Sequence, residues 1–332
     1  MSKLVFAVPS KGRLQEQCAD YLADCGLAFV KESGARGYSA RIKSAPDVEV
    51  RLLSASDIAR ALRAGEVHIG VTGEDALREA DPGLARTSLV RALGFGPADL
   101  VLAVPQSWLD VQTVEDFAEV AELHRTRTGR RLRVATKYLA QAQAFLDAHG
   151  VGDYRLVESL GATEAAPANG AAEAIIDITT TGATLLANHL RPLADGVILK
   201  SQAHLVASRA APWDEAATRA FSAMLEVIEA RQRAKSLRLL RLAPGPEGAA
   251  PIIARAKELG CALNEDTAAE GALLELYCPA AKVLSVCAAL RALFGGAISV
   301  VQVDFLFDRF DQTFERVRSS LSLNVQIREV EK

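Results

Sequence analysis

Aromatic residues are scarce in this chain, 5% of 332, and its formal charges nearly cancel, leaving −3. The first absence removes the stacking platforms on which single-stranded nucleic acid is held. The second removes the cationic field that grips phosphate backbones regardless of sequence. No nucleic-acid partner is expected. Long apolar runs are missing too. The opening "MSKLVFAVPSKGRL" carries one short run, Leu4 to Val8. It is too brief for a signal peptide or a membrane span and reads as a first strand, and no later segment approaches span length. No membrane partner is expected either. The five cysteines, Cys18, Cys25, Cys261, Cys278 and Cys287, form no CxxC pair. An odd, dispersed set fits reduced, mostly buried thiols and a cytoplasmic setting. No histidine stands at metal-ligand spacing from another ligand, and no Ser-His-Asp or Cys-His arrangement follows from spacing. His68 and His204 read as structural residues in strands, His124 and His149 as exposed.

What is present is ordinary globular composition, 50% hydrophobic and 24% charged, at a length that suggests two or three domains. Strand-like and helix-like runs alternate through the first half, which predicts βα units and parallel sheet. The runs Leu4–Val8, Val48–Leu53, Val67–Val71, Leu100–Val104, Arg133–Thr136, Tyr154–Glu158 and Ala174–Ile178 read as strands. Helices are expected at Leu14–Cys25, from Ser56-Asp57 to Arg63, after "TGED", at Tyr138–His149 and from Thr184. Val197–Ser201 and His204–Ser208 look like strands returning toward the first sheet, and Trp213–Lys235 is a long helix rich in Ala, Leu, Glu and Arg.

Beyond it the pattern changes. Leu237–Leu242 is a strand, "APGPEG" a turn, and Ala249–Leu259 a helix. Ala262–Asp266 and Ala272–Cys278 are strands, Ala280–Phe294 is a helix, and Ala297–Phe307 is a strand. That βαββαβ order predicts a small ferredoxin-like domain over 237–310, followed by a tail, 311–332, with room for one more helix.

One stretch concentrates chemistry. In "AIIDITTTGATLL" a buried-strand run reaches Asp177, and Thr179, Thr180, Thr181, Gly182 and Thr184 stand before a new apolar run. A single threonine would serve as an N-cap. Four hydroxyls and a flexible glycine after an acid favour an anion, because free backbone N–H groups converge at such a turn. Other phosphate motifs are absent: no Walker lysine follows Gly182, and "GFGPAD" lacks the third glycine of a dinucleotide fingerprint.

The longer frame, "ESLGATEAAPANGAAEAIIDITTTGATL", spaces Glu164, Gly170, Ala172, Ile175, Asp177, Thr181, Gly182, Thr184 and Leu185 as one pattern. In this the chain resembles the ATP phosphoribosyltransferases that open histidine biosynthesis, whose signature is filled at every position. The resemblance extends to "VPSKGRL", "SASDI", "GVTGED", "LGFG" and "RVATKY", and so covers roughly residues 1–235. It implies an α/β fold with two lobes, like type II periplasmic binding proteins. Lobe I would hold 1–95 and 190–235, lobe II 96–189, and the ferredoxin-like domain would follow. It implies transfer of phosphoribose from phosphoribosyl pyrophosphate to N1 of ATP, with Mg2+ carried on the pyrophosphate.

On that resemblance Asp177 accepts the 2- and 3-hydroxyls of the ribose, and Thr179, Thr180, Thr181, Gly182 and Thr184 hold its 5-phosphate. Glu164 binds Mg2+ or ribose; without the resemblance it is an acid at a helix start. "SKGRL" sits at a strand's carboxyl end, where α/β sheets bind ligands, so Lys11, Gly12 and Arg13 become contacts for nucleotide and pyrophosphate. Without the resemblance that stretch reads equally as a solvated turn. Thr72, Gly73 and Glu74 are assigned to the nucleotide, although a capping box explains much of "GVTGED". Lys137 and Tyr138 face the same cleft by topology. Many relatives have a basic residue near Ser54, where this chain has serine. Pyrophosphate contacts then fall to Arg41, Arg51 or a neighbouring subunit, although a lone strand arginine is more often an exposed face residue.

Long members of the family carry a βαββαβ domain that binds histidine as feedback inhibitor and assembles hexamers. Short members use a separate regulatory subunit. A homo-oligomer, dimer or hexamer, is expected. Two other readings stand beside the transferase: a two-lobed solute-binding module without turnover, and a non-catalytic regulatory relative. Intact "SKGRL" and "DITTTGAT" speak against the second.

Overall fold

The computed structural model describes residues 3–31, 39–264, 273–308 and 312–321. The expected strand ends at Asp266 and Ala272, and the tail from 322 on, lie outside the described residues. Two compact units emerge: the described residues among 1–23, 28–220 and 317–332 form one, and those among 24–27 and 221–316 the other.

The larger unit opens with β1 (Leu4–Pro9), α1 (Gly12–Asp24), β2 (Phe29–Lys31), β3 (Ser39–Ile42), β4 (Val48–Leu53) and α2 (Ala55–Ala64). Next come β5 (Ile69–Gly73), α3 (Glu74–Ala80), β6 (Thr87–Ala92) and β7 (Ala98–Pro105). They are followed by α4 (Val114–Thr128), β8 (Leu132–Thr136), α5 (Leu139–Ala148) and β9 (Tyr154–Glu158). β10 (Ala174–Thr179), α6 (Ala183–Ala187), β11 (Leu190–Ser201) and β12 (Ala203–Ser208) complete the run; of the long α7 (Glu215–Ser236) that follows, residues up to 220 belong to this unit and those from 221 to the smaller one.

Two sheets result. The first has seven strands in the order β2-β3-β4-β1-β5-β12-β6, the second five in the order β11-β7-β10-β8-β9. β1, β4 and β5 are parallel, and β12 enters antiparallel between β5 and β6. This is the two-lobed, type II periplasmic-binding-protein arrangement. Each lobe has its own apolar interior, with Ile58, Leu62, Val67, Leu77 and Val206 in the first, and Leu100, Leu102, Phe117, Val134, Leu146 and Ile176 in the second. Each such fully buried side chain contributes about 1.5–3 kcal/mol, enough to make each sheet a firm floor for the loops at its edge.

The return path differs from expectation. β11 stays in the second sheet, paired antiparallel with β7 from Leu190 to Ser201, and only β12 crosses back. The apolar runs of both strands look alike in sequence. What separates them is Gln202, where the chain passes from one sheet to the other. α2 is capped by Ser54, whose Oγ accepts the Asp57 N–H at 3.2 Å, rather than by Ser56-Asp57. α3 begins at Gly73 with no side-chain cap, so the capping box expected of "GVTGED" is not formed.

The smaller unit includes β13 (Leu237–Leu242), α8 (Pro246–Glu258), β14 (Ala262–Leu263), β15 (Leu274–Pro279), α9 (Val283–Arg291) and β16 (Ser299–Val301). Its sheet runs β14-β15-β13-β16, all antiparallel, the ferredoxin-like order, over a core of Leu240, Leu242, Ile252, Leu276, Val286 and Leu290. β16 is three residues long where a strand over Ala297–Phe307 is expected, because the segment after Val301 leaves the sheet. In the same unit Asp24 is held by Arg231 at 2.7 Å and Lys235 at 2.6 Å. The Arg231 hydrogen bond leads in depressing its carboxyl to about 2. A last helix, α10 (Gln312–Leu321), follows. No described helix is long and apolar enough to cross a membrane.

Candidate active site

β10 lies in the middle of the second sheet, between β7 and β8, so its first residues, Ala174 to Ile176, are fully buried. Pairing with β8 is parallel, with Ile176 opposite Thr136. Asp177, one residue on, is still paired with Val101 of β7 and stands level with Lys137, the residue that follows β8. The Ile178 N–H donates to Asp177 Oδ1 at 2.8 Å. Burial pushes the Asp177 carboxyl above its ordinary value, with a further push from Glu164. The Ile178 N–H, the Lys137 charge and the Thr163 hydroxyl act the other way. Two acids, one cation and one hydroxyl from three separate segments thus converge on one spot. Thr163 was not expected there. It is buried and opens the short 3-10 turn that carries Glu164.

The loop after β10 is tightly tied. Thr179 Oγ1 accepts the Gly182 N–H at 2.9 Å, and Thr181 Oγ1 accepts the Ala183 N–H at 3.4 Å. Thr180 donates to the Pro97 carbonyl at 2.9 Å, anchoring the loop on the crossover between lobes. Gly182 has φ +74° with open space where a Cβ would stand, so the left-handed backbone, not crowding, calls for glycine. α6 is only five residues long, which leaves its dipole small. Anion recognition therefore rests on hydroxyls and loop N–H groups, with Thr181 and Thr184 exposed.

In the first lobe, Lys11 lies in the turn after β1 and Gly12 and Arg13 open α1, the turn pinned where the Ser10 N–H meets the Leu53 carbonyl at 2.8 Å. Lys11 and Arg13 are exposed, and Gly12 takes φ +74°. Thr72 and Gly73 end the neighbouring β5. Thr72 is fully buried and its hydroxyl donates to the Ala55 carbonyl at 2.9 Å. Glu74 accepts from Arg78 at 2.7 Å, with His204 at 3.8 Å from its other oxygen. The side chains of Thr72 and Glu74 are thus engaged within the fold. Arg41 and Arg51 lie elsewhere. Arg41 is opposite Glu49 near the start of β4, while Arg51 binds Glu49 at 2.8 Å and the Glu66 carbonyl at 3.3 Å. Arg41, on β3, is level with the amino end of β4, while Arg51 is the fourth of the six β4 residues, opposite Ala7 of β1, with its guanidinium already engaged by Glu49 and the Glu66 carbonyl.

The carboxyl edges of the two sheets meet. Tyr138, next to Lys137, donates its O–H to Asp75 at 2.6 Å, two residues beyond Gly73. "LGFG" is the crossover itself. Leu93 N–H and Ala203 N–H bond across to the Ala203 and Phe95 carbonyls, both at 2.9 Å, and a Cβ on Gly96 would come within 3.1 Å of Leu14. His68 accepts the Val5 N–H at 3.0 Å and packs on Trp213, and burial lowers its pKa, as suits a structural imidazole. Among the described residues no group of three or more His, Cys, Asp or Glu is arranged to hold a metal.

One lobe thus carries an acid and a hydroxyl-rich loop at the carboxyl end of β10, and the other a basic turn at the carboxyl end of β1. The profile of the family HisG, ATP phosphoribosyltransferase, matches residues 54–230. The chain belongs to the ATP phosphoribosyltransferase family. The protein of that name from Caulobacter vibrioides (strain NA1000 / CB15N) is 48% identical over 97% of this chain and 99% of its own length. The Nitrobacter winogradskyi relative is 46% identical over 95% and 98%. A solved ATP phosphoribosyl transferase (HisG:HisZ) complex from Thermotoga maritima superposes with a TM-score of 0.52 at 27% identity, covering 68% of this chain and 98% of that one. ATP phosphoribosyltransferases transfer the 5-phosphoribosyl group to N1 of ATP and release pyrophosphate. This chain is such a transferase, acting at the first step of histidine biosynthesis.

Proposed function

We propose that Asp177 and Thr179 to Thr184 hold the phosphoribosyl half of phosphoribosyl pyrophosphate, and that Lys11, Gly12 and Arg13 receive the pyrophosphate and the nucleotide. The observation that carries this reading is the convergence of Asp177, Glu164, Lys137 and Thr163 beside a loop of exposed threonine hydroxyls. A half-buried carboxylate beside another carboxylate is costly unless something is bound there. Ribose hydroxyls donating to Asp177 would relieve that cost. The 5-phosphate then falls to the hydroxyls and N–H groups of the loop.

The ring nitrogen of adenine is already a nucleophile, so the reaction asks for little acid–base chemistry. Catalysis comes from holding N1 and the ribose C1 in line and from stabilising charge on the departing pyrophosphate. Lys11 and Arg13 supply the second, and Lys137, beside Asp177, joins the phosphoribosyl and nucleotide halves of the cleft. The Asp177 and Glu164 carboxylates also fit a Mg2+ ion that arrives on the substrate's phosphates, since such ions take one or two carboxylates and keep water or phosphate oxygens elsewhere. When bound, Mg2+ would neutralise charge on the leaving group.

Two further parts of the reading concern control. The ferredoxin-like unit serves as a histidine-responsive, subunit-assembling domain of a homo-oligomer in the cytoplasm. The alternative is a separate regulatory subunit, motivated by the partnered relative from Thermotoga maritima.

The test of the site is replacement of Thr181 and Thr184 by valine. Hydroxyl hydrogen bonds to a charged phosphate are worth about 1.5–3 kcal/mol each, so with two removed phosphoribosyl pyrophosphate should bind at least about 100-fold more weakly. Its titration by calorimetry reads this directly. Parent affinity in the double variant would remove the loop from the substrate site.

A further inference from the structure

Asp75 is a buried carboxylate, 7% exposed, and its hydrogen bonds reach three parts of the larger unit. It stands at the start of α3 in the first lobe. Its Oδ2 accepts the Tyr138 O–H of the second lobe at 2.6 Å. Its Oδ1 accepts the Ser201 O–H at 2.9 Å, and its own N–H donates back to Ser201 Oγ at 3.0 Å. Ser201 is the last residue of β11, at the return crossover. Around this centre, the Gln141 side chain donates to the Asp75 carbonyl at 2.9 Å. Glu79 of α3 accepts the first N–H groups of α5, from Ala140 at 2.9 Å and Gln141 at 3.2 Å. Gly73 is shaped to this arrangement: an added Cβ would lie 2.2 Å from Asp75 Oδ1.

Two features set this apart from ordinary packing. A buried carboxylate is costly unless hydroxyls or N–H groups satisfy it, so parting the lobes here would strand a charge. And the clamp ends at the site. Lys137, which precedes Tyr138, carries its ammonium 4.9 Å from the Tyr138 ring, and the Asp177 charge acts on the Tyr138 hydroxyl.

We propose that Asp75, through Tyr138 and Ser201, is a positioning residue that fixes the spacing between the Lys11 turn and the Asp177 loop, and so the distance over which phosphoribose is passed to the nucleotide. It touches neither substrate. The inference rests on the proposed placement of the two substrates on opposite lobes. Loosening the clamp lowers the fraction of molecules with the lobes at reacting distance, which weakens the apparent affinity for both substrates by a common factor. Once both are bound they bridge the cleft themselves, so turnover changes less.

The experiment uses the full chain. Tyr138→Phe removes one donor to the carboxylate and keeps the ring. It should raise KM for ATP and for phosphoribosyl pyrophosphate together, roughly 10- to 100-fold, with kcat within about threefold of the parent. Ser201→Ala should act in the same direction more weakly, and supplies the test if Tyr138→Phe fails to fold. Asp75→Asn keeps an acceptor for Tyr138 and a donor for Ser201, so it should recover most of what Asp75→Ala loses. Spin labels on exposed sites of the two lobes, with no substrate present, should report a longer and broader distance in Tyr138→Phe. An unchanged distance overturns the clamp. A changed distance with both KM values unchanged overturns its link to the reaction, as does a rise for one substrate alone. Equal losses in Asp75→Asn and Asp75→Ala overturn the hydrogen-bond argument. The distance readout is independent of where substrates bind, so a failed clamp and a failed substrate assignment give different results.

Discussion

Replacing Asp177 with asparagine separates what the residue does for the fold from what it does for the substrate. The carboxyl is half-buried, receives the Ile178 N–H at 2.8 Å, and lies near Glu164. Its pKa is raised, burial being the main cause, so the folded protein disfavours the charge relative to the unfolded chain. A group with a raised folded pKa contributes most to stability below its unfolded value, near 4, and loses that contribution as pH rises through the folded value. Asparagine keeps an acceptor for Ile178 and carries no charge. The variant should therefore match the parent's unfolding temperature in acid and equal or exceed it at neutral pH. Substrate binding should move the other way. A hydrogen bond to a charged group is worth about 1.5–3 kcal/mol and a neutral one about 0.5–1.5, so the difference is about 1–2 kcal/mol per ribose hydroxyl. Two hydroxyls give about 2–4 kcal/mol, or roughly 30- to 1,000-fold weaker binding. Scanning calorimetry across pH and titration with phosphoribosyl pyrophosphate at neutral pH measure the two effects. A variant that is less stable at neutral pH and binds with parent affinity would make Asp177 a structural residue and refute the reasoning.

The remaining expectations are briefer. Lys11→Ala should reduce kcat/KM by about 2–4 kcal/mol in transition-state stabilisation, as loss of a preorganised charge donor does, and wild-type turnover would leave its turn purely structural. Gly73→Ala has an allowed backbone but places a methyl against the Asp75 carboxylate, so its steady-state kinetics should resemble those of Asp75→Ala; parent KM values for both substrates would show that the carboxylate is free to move. Free histidine titrated into the full chain should weaken substrate binding by the same factor by which substrate weakens histidine binding, and two independent affinities would remove histidine control from this chain.

How much of this could be read in the sequence depended on whether the evidence was local. The Asp177 loop is contiguous, so the sequence shows its parts together: an acid at a strand's end, hydroxyls that accept loop N–H groups, and a glycine that takes the left-handed backbone. Strands β4, β9 and β13 begin and end where expected, because alternating or unbroken apolar runs meet clear turn residues. α4 went unseen although "TVED" holds its signal: Thr113 and Asp116 cap each other across the first turn, with the Thr113 N–H donating to Asp116 at 2.8 Å. Its apolar stripe, Val114, Phe117 and Ala121, is narrow, and charged residues between them hide the period.

Non-local choices were the illegible part. Nothing within Leu190–Ser201 says that it pairs with β7 and not with the first sheet, since a strand's partner is decided by which edge is open when the fold assembles. The arginines show the same limit. Charge alone points to Arg41 and Arg51, but not to their neighbours in space: Arg41 is opposite Glu49 and the Arg51 guanidinium is engaged by Glu49 and the Glu66 carbonyl, contacts that only register and fold reveal. Asp75 is the sharper case. In sequence it is one of two acids after a glycine, which reads as an acidic first turn. Its partners are 63 and 126 residues away, and only the fold shows that Glu74 faces Arg78 while Asp75 turns inward to join the lobes. A motif that binds a ligand is compact because the ligand is small; the groups that set the distance between two such motifs must come from both lobes, and so they are scattered along the chain.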